Sequence, residues 1–76
     1  MVQKYLLELE MAKKGISVVD LANDIGISTM ALRNKINGVS EFKASEIMAI
    51  RKELDLTSAY VENIFFAENL TENGES

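Results

Sequence analysis

Apolar residues recur along this chain at the three- and four-residue intervals of a helix, and glycines and short polar residues punctuate each run. The first run predicts a helix over Val2–Lys14, with Tyr5, Leu9 and Ala12 on one stripe at i, i+4 and i+7, and with Lys13 and Lys14 where cations suit a helix C-terminus. Gly15, Gly26 and Gly38 each follow an apolar-periodic run, where a left-handed residue ends a helix. Ser17 followed by Asp20 resembles a capping box and opens a second helix of about Val18–Asp24. After the turn "DIGIS", Ser28 caps a third helix reaching about Asn37. The loop "GVSEF" leads to a fourth over Ala44–Leu54, where Ile47, Ile50 and Leu54 face inward. Beyond the break "LDLT", Thr57 caps a fifth over Ser58–Phe66, built on Val61, Ile64 and Phe65. No stretch alternates over a strand's length, so the expected fold class is all-α. The adjacent Phe65 and Phe66 lie about 100° apart on a helix, so one can complete the core while the other points elsewhere.

The second and third helices form a unit of their own. Two short helices joined by a tight turn with glycine at the bend make a helix-turn-helix, and Leu21, Ala22, Ile25, Ile27, Leu32 and Ile36 can supply its internal packing. With Leu32 and Ile36 turned inward, the opposite face of the third helix presents Thr29, Met30, Arg33, Asn34 and Asn37. Arg33 can donate two hydrogen bonds to guanine, Asn34 can pair with adenine, and Thr29 or Met30 can touch a thymine methyl. Lys35, Lys43 and the third helix's N-terminus at Ser28 are candidates for backbone phosphate. A stripe of Arg33 and Asn34 is equally what an ordinary solvated helix face carries.

Seventy-six residues make one domain that must hold together by packing, because cysteine and histidine are both absent and with them disulfides and the usual zinc ligands. No metal or cofactor is expected. The net charge of −4 argues against a protein that lives on nucleic acid, but the charge is unevenly placed. Residues 1–52 hold all eight cations against six acids, whereas residues 53–76 hold six acids and no cation. The expected organisation is a folded domain over residues 1–67 and an acidic, flexible tail over 68–76. No apolar run approaches the roughly 18 residues of a membrane span, and acids interrupt the first apolar run, unlike a secretory signal, so the chain reads as cytoplasmic. With no histidine or cysteine, no phosphate-cradling glycine loop and serines only at caps or in flexible stretches, the residues offer no catalytic constellation, and an enzyme is not expected.

The run Ser17, Leu21, Ala22, Gly26, Ile27, Ser28, Leu32, Gly38 resembles the Cro/lambda-repressor type of helix-turn-helix domain. "KINGVSEF", followed by "SEI" and "NIFF", is similar to small regulators of temperate phages in Gram-positive bacteria, and the resemblance covers about residues 2–66. It implies a compact five-helix lambda-repressor-like domain that sits on operator DNA, usually as a dimer, with the third helix in the major groove. The departures fall on the contact surface. Members often carry a phosphate-bonding glutamine where this chain has Val18, and a polar residue where it has Val39. Val18, Val19, Met30 and Val39, beside Arg33 and Asn34, make a mixture closer to a protein interface, although Val18 and Val39 can equally tuck into the core. Two functions therefore follow: a Cro-like regulator reading DNA, or an antirepressor presenting the same face to a repressor protein whose own reading helix is basic.

Overall fold

The computed structural model describes residues 2–66, and among them every regular element is helical and no strand occurs. Five helices follow in order: α1 Lys4–Lys14, α2 Val18–Ile25, α3 Thr29–Ile36, α4 Ala44–Glu53 and α5 Ser58–Val61, the last running on into a π-helical turn, Glu62–Phe66. They close around a core of Leu7, Met11, Leu21, Ala22, Leu32, Ile36, Ile50, Leu54, Leu56, Ile64 and Phe65, to which each helix or its following turn contributes. The boundary expected at residue 67 and the acidic stretch beyond it lie outside the described residues.

Local chemistry sets the starts of α2, α3 and α5. At α2 the capping box closes in both directions: the Ser17 hydroxyl accepts the Asp20 N–H at 3.1 Å, and the Asp20 carboxylate accepts the Ser17 N–H at 3.4 Å. Ser28 Oγ accepts the Ala31 N–H at 3.0 Å, and Thr57 Oγ1 accepts the Tyr60 N–H at 3.2 Å. The turn between α2 and α3 depends on Gly26, whose φ of +83° a side-chain-bearing residue rarely adopts. There the Ile27 N–H reaches the Ala22 carbonyl at 3.0 Å, the six-to-one bond of a Schellman ending, and Ile27 packs against the core. α2 packs on both α3 and α4, so α3 is held from behind.

The stripe Tyr5, Leu9 and Ala12 on α1 is not the buried one. Tyr5 is 74% exposed, Leu9 42%, and Ala12 is exposed; Leu7, Glu10 and Met11 are buried instead, and the helix starts at Lys4, two residues later than expected. α1 is apolar on more than one side, and tertiary contact chooses between the sides. The Gln3 N–H donates to the Ile64 carbonyl at 2.6 Å, which fixes the start of α1 against the final turn. At the other end Lys14 Nζ reaches the Leu54 carbonyl, and Lys13 Nζ lies 5.7 Å from the centre of the Tyr60 ring. Buried Glu10 is tolerated because Lys13 lies 2.8 Å and Lys14 4.0 Å from its carboxylate. The hydrogen bond from Lys13 to Glu10 raises the lysine's pKa, with the nearby carboxylate charge adding to the effect.

The fifth helix departs from expectation by widening after Val61. A π turn carries more residues than an α turn, so adjacent side chains diverge by a smaller angle. Ile64 and Phe65 are both buried, and Phe65 meets Phe42 edge-to-face with centroids 5.2 Å apart, while Phe66 stays 54% exposed.

Candidate functional site

The candidate surface is the outer side of α3. Leu32 and Ile36 are buried, which turns the stripe Met30, Arg33, Asn34 and Asn37, at i, i+3, i+4 and i+7, toward solvent. Met30 is 67% exposed, Arg33 and Asn37 are exposed, and Asn34 and Thr29 are half-buried. Arg33 makes no ion pair among the described residues, so its guanidinium is available to an external acceptor. Ser28 uses its hydroxyl on Ala31, and the first turn of α3 contains no acid. Its free N–H groups and partial positive charge are therefore not countered locally.

Lys35 is placed differently from Arg33. Its side chain is only 12% exposed and turns back toward α4, where Nζ lies 3.1 Å from Glu46 Oε1 and donates to the Glu41 carbonyl at 3.0 Å. Glu46 Oε1 also accepts the Lys43 N–H at 2.8 Å, so this carboxylate caps the first turn of α4 as well as binding the lysine. Burial alone would push the Glu46 carboxyl up. The bond from the Lys43 N–H and the contact with Lys35 outweigh it and hold the group below its ordinary value. The structure thus separates Lys35 from the other candidate phosphate contacts, Ser28 and Lys43, both of which are exposed.

The apolar candidates divide too. Val18 packs partly against the core, whereas Val19 is 58% exposed and Val39 74%. Val39 lies in the loop after α3, its N–H bonded at 2.8 Å to the carbonyl of Asn34. At the start of α2 the capping carboxylate of Asp20 already supplies the negative charge that this helix end attracts, so an incoming phosphate would meet a like charge there. Sequence reasoning missed Glu46 as the partner of Lys35. Its spacing three residues after the Lys43 cap was the available signal, but nothing in the sequence linked it to α3.

A pocket of about 330 Å³ opens beside this region, with Val2, Lys35, Phe42, Ile47, Phe65 and Phe66 among its lining residues. Among the described residues no group of three or more carboxylates could hold a metal ion, and no helix is long and apolar enough to cross a membrane. Comparison with protein-family models, with curated proteins and with solved structures finds no match to this chain.

Proposed function

We propose that this chain is a small transcriptional regulator of a phage-type genetic switch in the bacterial cytoplasm, with α2 and α3 acting as a helix-turn-helix in a lambda-repressor-like arrangement. α3 enters the major groove of operator DNA. The observation that carries this reading is the stripe Met30, Arg33, Asn34 and Asn37, displayed on a helix whose opposite side is anchored in the core. Arg33 serves guanine, Asn34 adenine and Met30 a thymine methyl, while the N-terminus of α3 and Lys43 hold phosphates. The resemblance to Cro and lambda-repressor regulators, carried by the same two helices and the residues after them, supports this reading.

One observation favours a second function. Val19, Met30 and Val39 are exposed, and Lys35 is withdrawn, which leaves the face more apolar and less cationic than a duplex binder needs. On this reading the chain is an antirepressor that covers a partner repressor's reading helix and has little DNA affinity of its own.

Repeated selection of bound duplexes from a random pool at about 50 mM salt separates the two. The DNA reading predicts enrichment of one short sequence, and Arg33→Ala should weaken the enriched duplex about 5- to 150-fold, the equivalent of about 1–3 kcal/mol for a bidentate guanine contact. A folded chain that enriches no sequence would overturn that reading and favour the antirepressor.

A further inference from the structure

We propose that Lys35 and Glu46 form an internal strut that sets how α3 and the loop after it meet DNA, so that Lys35 is a positioning residue and not a phosphate ligand. The inference rests on the DNA reading above and assigns a role within the same site.

The geometry joins three segments at one ammonium group. Lys35 leaves the last turn of α3, binds the Glu46 carboxylate on α4 at 3.1 Å, and donates to the Glu41 carbonyl in the intervening loop at 3.0 Å. The two side chains are 12% and 9% exposed, so water screens the pair little, and neither can leave without stranding the other's charge. Glu46 in turn holds the Lys43 N–H at 2.8 Å. The near half of the loop is fixed separately, because the Val39 and Ser40 N–H groups share the Asn34 carbonyl at 2.8 and 3.3 Å. The strut therefore governs the far half. It sets where Lys43 stands relative to Arg33, the two exposed cations of this region. A displacement of about an ångström between base-reading and phosphate-holding groups costs recognition more than general attraction, because phosphate contacts fix the register in which bases are read.

The test is a double-mutant cycle read in DNA affinity, using Lys35→Met, Glu46→Gln and the double variant of the full chain. The probes are the duplex enriched by the wild-type chain and an unrelated duplex of equal length. Measurements are made well below each variant's melting temperature, so that loss of fold does not enter. Each single variant should weaken the enriched duplex about 5- to 30-fold and the unrelated duplex less than about threefold, with the salt dependence unchanged. The double variant should be no worse than the weaker single, because both changes remove the same link.

If Lys35→Met weakens both duplexes alike and flattens the log–log salt slope by about one, Lys35 reaches a phosphate and the proposal fails. It fails equally if Glu46→Gln leaves the enriched duplex bound at full strength. Should Lys35→Met not fold, Glu46→Gln decides alone by that criterion, since glutamine keeps the shape and an acceptor for the Lys43 N–H and removes the charge that holds the Lys35 ammonium. A wild-type chain that enriches nothing overturns the DNA reading beneath the strut; that failure is distinct because it is seen before any variant is made.

Discussion

If α3 reads DNA as proposed, raising the salt should weaken that binding far less than it weakens an ordinary duplex binder. Of its eight cations, three lie between the start of α2 and the start of α4: Arg33, Lys35 and Lys43. Lys35 is spent on Glu46, which leaves about two that can displace counterions. Each neutralised phosphate contributes about −0.9 to the slope of log affinity against log salt, so the expected slope is about −1.8 per bound protomer. Between about 50 and 200 mM salt that amounts to roughly a twelvefold loss, against about 10³–10⁵ for a protein making 6–10 phosphate contacts. Fluorescence anisotropy of the enriched duplex at four or five salt concentrations measures the slope directly. A value of about −4 or steeper per protomer would rule out a two-cation contact. It would mean that Lys35 leaves its pair, or that cations such as Lys4 and Lys52 on other helices reach the backbone.

Two predictions concern the fold that presents the face. Asp55, just past α4, has a φ of +53°, a left-handed conformation that glycine adopts freely and a β-branched residue resists. Asp55→Gly should melt no lower than the natural chain, whereas Asp55→Val should cost about 1–2 kcal/mol, roughly 5–15 °C by calorimetry; equal melting of the two would contradict the strain. The second follows from Glu46, whose pKa is lower folded than unfolded, so its contribution to stability is present above the ordinary carboxylate value and is lost as the pH falls through the lowered one. Melting curves from pH 7 down to about 2.5 should show Glu46→Gln losing less stability over that acid limb than the natural chain, and parallel curves would contradict the assignment.

The sequence made the helix ends most legible, because a cap is a short-range device. Ser17 with Asp20, Ser28 with the Ala31 N–H, and Thr57 with the Tyr60 N–H all bond three residues along the chain, and Gly26 marks its turn by a conformation few other residues accept. The inner face of α3 was legible too, since Leu32 and Ile36 lie four residues apart on one side of a helix whose other side carries Arg33 and Asn34. α1 was not. Tyr5, Leu6, Leu7, Leu9 and Met11 offer two rival stripes, and which one is buried depends on packing against distant parts of the chain, such as the final turn that Gln3 reaches at Ile64, sixty-one residues away. The π turn was hidden because Val61, Ile64 and Phe65 fit α-helical spacing, so the pattern carries no sign of a wider turn; the turn is joined to distant parts of the chain by the Phe65–Phe42 contact and the Gln3–Ile64 bond. At the candidate site, spacing assigns Arg33 to a base and Lys35 to a phosphate, both as available cations of one short helix. Their fates differ because Lys35 finds a carboxylate eleven residues further on, across a loop whose path no local pattern records.

Amide chemical-shift mapping shows whether the outer face of α3 is where this chain meets DNA, as proposed. The isotope-labelled chain would be titrated at low salt with the duplex it enriches. The largest shifts are expected at Ser28–Asn34 and Asn37, smaller ones at Lys43, and little change around the exposed Tyr5, Leu9 and Tyr60 on α1 and α5. Shifts concentrated on that second surface, with α3 silent while the duplex is bound, would contradict it.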